Sequence, residues 1–184
     1  MPKKSITSAL DVIGWFCSKA AQNKQRLSPK QLQNMLFLAQ MHHLSKHGRV
    51  MVPAMFVCYP HGFYEPTINI IIEHGLPLLE EPIFESNTSM ILESVWQKYS
   101  SLSEHELLDF ITSLNCWLQY YHQDEETIIN PIDLTSSFVS SISGNRSSSA
   151  TKTKIRLSQN GPVQVSPWQP RKVSNSSISQ KKEG

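Results

Sequence analysis

Charge is scarce in this 184-residue chain: Asp, Glu, Lys and Arg make up 17% of it, against roughly 25% in an ordinary globular domain. Glycine is also sparse, with seven residues and no Gly-x-Gly-x-x-Gly, Walker or Gly-x-Ser-x-Gly pattern. That leaves little from which to build a phosphate-cradling loop or a nucleophile elbow. The three cysteines, Cys17, Cys58 and Cys116, are widely separated and form no Cys-x-x-Cys pair. Their spacing excludes a zinc finger and a disulfide framework, and fits reduced thiols in a cytoplasmic compartment. No apolar run approaches the roughly 20 residues needed to span a bilayer. The opening Met-Pro-Lys-Lys-Ser-Ile-Thr-Ser lacks the apolar stretch of a signal peptide. A cytoplasmic protein with no membrane partner is the expectation.

Serine takes the place of charge, with twelve of the residues from 140 to 184. That stretch has isolated apolar residues and no sustained periodicity, so it cannot bury enough apolar surface to offset the entropy of ordering it. The reading is therefore one domain over residues 1–142 and a disordered, basic Ser/Lys-rich tail over 143–184, with Trp168 between Pro167 and Pro170 as a docking motif. The net charge of +2 is a sum of unequal blocks. Residues 1–64 carry eight Lys/Arg and one Asp/Glu, residues 65–139 one and thirteen, and residues 140–184 eight and one. An acidic centre of this size suits a basic protein partner, because opposite charge steers encounter.

Helix signals dominate the domain. Ile6, Leu10, Ile13, Cys17 and Ala20 recur at helical spacing over residues 6–22. Ser28-Pro29-Lys30-Gln31 is a capping box with proline in the first turn. The helix it opens places Leu32, Met35, Leu36, Ala39 and His43 on one side, and Gly48 stops it. Residues 50–58 are apolar and short and are predicted as an extended segment that Pro53 confines to a sheet edge. Tyr59-Pro60-His61-Gly62 is a turn. Glu65-Pro66 opens a short helix stopped at Gly75, and a second extended piece follows over 76–84. Further helices are predicted over 88–100, from the Ser103–Glu106 capping box through Tyr121, and from Asn130-Pro131 through Val139. The fold class is mainly α: a compact bundle of five to six helices with one or two short extended segments.

Chemistry-bearing groups are present without a catalytic pattern. His43 and His47 lie four apart on one helix, but no HExxH carboxylate or third ligand accompanies them. Cys58 and His61 flank a turn without an orienting Asp or Asn partner. The Glu80-Glu81 and Asp124-Glu125-Glu126 clusters fit no EF-hand and are expected as a solvated acidic face. No catalytic residue, metal ligand or cofactor is expected. The tail's dilute positive charge is expected to solubilise more than to grip nucleic acid.

The order of motifs resembles one known family. Residues 27–40, Leu-Ser-Pro-Lys-Gln-Leu-Gln-Asn-Met-Leu-Phe-Leu-Ala-Gln, are similar to the "(T/S)-x-x-(K/R)-L-Q-K-L-L-Y-F-A-Q" helix of the SocA-like, or Panacea, domain of phage-associated GepA-like proteins. Leu32, Leu36, Phe37 and Gln40 stand in its motif. The preceding helix matches the family's opening helix at Trp15 and Phe16. Residues 56–66 resemble its "A-W-x-Y-G-P-V-x-P" turn, with Gly62 and Pro66 on its glycine and final proline, while Phe63 and Tyr64 replace the next proline and valine. Residues 99–117 are similar to a fourth motif through Ser103, Glu106, Leu107, Thr112 and Trp117, with Ser113 in place of its histidine.

The resemblance, which covers residues 6–139, implies a helical bacterial or phage-encoded antitoxin that neutralises a cognate toxin by direct contact. The toxin would be basic and encoded nearby. Tyr59, His61, Gly62, Phe63, Tyr64, Glu65, Pro66 and Glu73 are the expected contact residues. Trp15, Leu32, Leu36, Phe37, Gln40 and Trp117 are expected to be structural. Two alternatives are an adaptor or exported effector, with a protease or chaperone as partner, and a nucleic-acid-binding regulator acting through the tail.

Overall fold

The structure, a computed structural model, describes residues 8–76, 84–122 and 125–144, together with the backbone of residues 154–158 and 161–165. The chain divides into two units, residues 1–148 and 149–184. The first unit begins with α1 (Ala9–Gln22), whose N-terminus is closed by Ser8 and Asp11 in a capping box. It buries Val12, Ile13, Phe16 and Ala20. Trp15 is half-buried, meeting Phe16 edge-on at 5.3 Å.

Helix α2 (Pro29–His47) starts at the predicted capping box, where the Ser28 N–H donates to Gln31 Oε1 at 2.9 Å and the Gln31 N–H to Ser28 Oγ at 3.2 Å. It ends at Gly48, which takes the left-handed φ of 66° that favours glycine. The expected single apolar stripe is corrected. Residues 32–41 are all buried, so α2 is enclosed on every side, as the central helix of a larger core. Leu32, Leu36, Phe37 and Gln40 are all inside.

The segment after α2 runs irregularly to β1 (Phe56–Tyr59), which pairs antiparallel with β2 (Gly62–Tyr64) through a two-residue connection, Pro60-His61. β3 (Thr127–Ile129) pairs on its other side, giving the order β2-β1-β3. The expectation of an edge strand is thereby corrected: β1 is central, because the strand begins only after Pro53, whose missing N–H then costs no ladder bond.

Glu65 caps α3 (Pro66–Glu73), with its carboxylate accepting the Ile68 N–H at 2.6 Å. Then come α4 (Ser86–Tyr99), α5 (Glu104–Thr112), α6 (Asn115–Tyr120) and α7 (Pro131–Gly144). The Ser103–Glu106 capping box is formed. The one helix expected from 104 through Tyr121 is two. Leu114 is extended, with a ψ of 138°, and the Thr112 and Ser113 hydroxyls donate to the Leu108 and Phe110 carbonyls, competing with continuation of the helix. Seven helices are therefore described, and the mainly α fold class holds.

The core centres on Phe37, which stacks on Phe63 at 4.0 Å and meets Phe56 and Phe138 edge-on at 5.4 and 6.4 Å. In the second unit, β4 (Lys154–Ser158) pairs antiparallel with β5 (Gly161–Val165), Ser158 opposite Gly161. The sequence there alternates, with Ile155 and Leu157 before Asn160-Gly161 and Val163 and Val165 after it. That alternation is local and short, set within a serine-rich stretch. Residues 77–83 of the extended piece expected over 76–84, Glu80-Glu81, Asp124 and Trp168 lie outside the described residues.

Candidate functional site

The motif helix carries three amides at positions that face the chain between Gly48 and α3. Gln40 Oε1 accepts the N–H groups of Met51 and Val52 at 3.1 and 3.2 Å, and its Nε2 donates to the Val52 carbonyl at 2.9 Å. Asn34 Nδ2 donates to the His61 carbonyl and its Oδ1 accepts from the Phe63 N–H, both at 3.2 Å. Gln33 Oε1 accepts the Glu65 N–H at 3.0 Å and its Nε2 donates to the Glu65 carbonyl at 3.4 Å. Each amide thus works as a surrogate strand partner for backbone that has no sheet neighbour on that side. From the far side, Trp117 Nε1 donates to the Tyr59 carbonyl at 3.1 Å. Gln33 and Asn34 lie within the motif, next to the expected structural residue Leu32. Their signal is amides interrupting an otherwise apolar helix, with Gln33 and Gln40 seven residues apart on one face.

This bracing sorts the expected contact residues. Phe63 is fully buried against Phe37, Gly62 is buried against Asn34, and Glu65 is 9% exposed and committed to capping α3. These three are corrected from contact residues to structural ones. Alternation in the hairpin turns Phe63 toward the core, and the helix N-terminus draws the Glu65 carboxylate inward. Tyr59, Tyr64 and Pro66 are half-buried, and His61 and Glu73 are exposed. The rings of Tyr59 and Tyr64 meet edge-on at 4.9 Å, and His61 lies 5.6 Å from Tyr59. Tyr64 donates to Glu126 Oε2 at 3.1 Å. Burial, followed by Tyr64 and Glu104, pushes the Tyr59 phenol up to about 12. Burial, the Glu126 contact and Glu73 push Tyr64 up as well. Both are neutral phenols beside carboxylates, suited to receiving a cation on their faces.

Cys58 is 1% exposed, and burial, then Cys116, pushes its thiol up to about 12. A nucleophile needs the opposite shift, and His61 lies at the exposed turn, not on the core side with Cys58. His43 and His47 have rings 4.7 Å apart, with His43 Nδ1 paired to the Arg49 carbonyl at 2.9 Å. Among the described residues no group of three or more His, Cys, Asp or Glu could hold a metal, and no helix is long and apolar enough to cross a membrane.

Beside the tyrosines lies an open groove of about 620 Å³. Val50 and Met55 line it from the irregular segment, Glu65, Pro66 and Thr67 from the start of α3, Ile128 from β3, and Asn130, Pro131 and Ile132 from the start of α7. Val50, Met55, Ile128 and Ile132 are 38, 43, 65 and 59% exposed. The groove is not legible in the sequence, because its four walls come from separate parts of the chain. The family resemblance rests on the motifs quoted above: compared with protein-family models, curated proteins and solved structures, the chain finds no match.

Proposed function

We propose that the chain acts by protein binding, as a cytoplasmic antitoxin-like protein, bacterial or phage-encoded, that occludes a basic toxin by direct contact. The observation that carries this reading is the Tyr59–Tyr64 pair on the hairpin, with Glu73, Glu104 and Glu126 close enough to bias the phenols. Paired aromatic rings supply rigid contact area, and neighbouring carboxylates attract and orient a basic partner. The resemblance to the SocA-like family supports the antitoxin role, since these residues fall in its glycine-proline turn. Residues of α2 hold the turn, so the contact face is preformed and its ordering cost is met in folding, not in binding.

Co-expression with the products of neighbouring genes tests the reading. One of them should inhibit growth alone, be neutralised by this chain and co-purify with it. Tyr64→Ala should weaken that complex by about tenfold or more, as loss of a central tyrosine does. Absence of any growth-inhibiting or co-purifying neighbour would count against the proposal.

A further inference from the structure

We propose that the groove between the irregular segment, α3, β3 and α7 seats an extended segment of the protein partner that presents apolar side chains next to a lysine or arginine. The inference rests on the protein-binding reading above and adds the chemistry of what is bound. The groove concentrates four of the large apolar side chains left exposed among the described residues, Val50, Met55, Ile128 and Ile132. Clustering of this kind marks an interaction surface, whereas scattered exposed apolar residues do not.

Its walls are braced. Pro53, Pro66 and Pro131 line it with fixed φ angles. Gln40 pins Met51 and Val52 on one side, and Gln33 pins Glu65 on the other. Its volume lies within the roughly 300–1,000 Å³ range of ligand sites.

Charge selects the occupant. Among the described residues, Glu65 is the one charged residue lining the groove, and its carboxylate is already engaged by the Ile68 N–H; Arg49, next to the lining Val50, is exposed. Glu126 and Asp133, two and one residues from the lining Ile128 and Ile132, are exposed. The exposed rim thus carries two carboxylates against one guanidinium, and an apolar floor beside it favours an ammonium or guanidinium flanked by apolar groups. Tyr64 immediately precedes Glu65 and pairs through Val57 with Ile128 across the sheet. The groove is therefore continuous with the aromatic contact face, and one partner segment can engage both.

The probe is a random twelve-residue peptide display library panned against the full chain, with enriched peptides resynthesised with a fluorescent label. Enriched peptides should combine apolar residues with lysine or arginine, and replacing the basic residue by glutamate should weaken binding about tenfold or more. The Ile128→Lys/Ile132→Lys double variant alters only exposed side chains. With an unchanged circular dichroism spectrum, it should lose binding by the same margin, while Leu118→Lys on a different exposed apolar site keeps it. Enrichment of acidic or purely apolar peptides, no enrichment, or binding indifferent to the double variant would overturn the groove assignment. So would concentration-dependent self-association that the double variant abolishes, since a second copy would then be the occupant. A double variant that binds no peptide yet neutralises and retains the co-expressed toxin as the unaltered chain does would overturn the partner-segment assignment alone, leaving the antitoxin reading intact.

Discussion

Gly62 shows how a single residue ties the motif helix to the β1–β2 hairpin. Its φ of +107° lies in the left-handed region, and a Cβ there would strike the Asn34 side-chain oxygen that receives the Phe63 N–H. Gly62→Ala should therefore cost about 2 kcal/mol or more in urea unfolding, through backbone strain together with displacement of a buried amide; a change under about 0.5 kcal/mol would show that the clamp is slack. His42 supplies a pH response. Burial, and then Lys98, lower it to about 4, against 6.5 in the unfolded chain. Above pH 6.5 it is neutral in both states. Below that, the unfolded chain takes up a proton that the native state refuses, so stability falls with pH until about 4. Unfolding free energy should drop by about 2 kcal/mol between pH 7 and 5 from this group. His42→Gln should remove that part of the slope even if the loss of the Tyr99 contact lowers stability at both pH values.

At the scale of elements, α2 carries both the packing and the polar bracing of the fold. Gln40→Leu keeps its bulk but strips the Met51 and Val52 N–H groups and the Val52 carbonyl of their partner. It should destabilise by about 3 kcal/mol in chemical denaturation, although leucine is the more apolar residue; a neutral or stabilising outcome would mean that water replaces the amide. The beginning and end of α2 are legible from residues alone, because Ser28, Pro29, Gln31 and Gly48 act on backbone three or four residues away. Its burial on all sides is not, since that depends on α1 before it and on four helices and a sheet arriving from later in the chain. The division of α5 from α6 escaped for a related reason: Leu107, Ile111, Leu114 and Trp117 keep helical spacing, and all are buried, so the apolar pattern continues through a break made by backbone at Leu114.

For the whole molecule, the balance of charge and the two-unit division make a joint prediction. A chain ending at Ser148 holds ten Lys/Arg and fourteen Asp/Glu and retains the entire first unit. It should keep its helical circular dichroism and melt within about 3 °C of the full chain, while neutralising a basic partner undiminished. Loss of cooperative melting would show that residues 149–184 contribute to that unit's stability. The exposure of the hairpin and its surroundings was legible only in part. Tyr59 and Tyr64 are half-buried and His61 and Glu73 exposed, whereas Phe63 and Glu65 stand between them in sequence and turn inward.

By itself, the sequence determined the mainly α class, the capped helix starts and the acidic centre of this protein, because caps, turns and charge blocks act within a few residues. Tertiary structure alone decided which side of the hairpin meets solvent, how the α2 amides complete backbone 11 to 32 residues away, and that Val50, Met55, Ile128 and Ile132 converge on one groove. Burial is a property of the assembled core: a side chain's neighbours come from segments whose approach local chemistry does not encode.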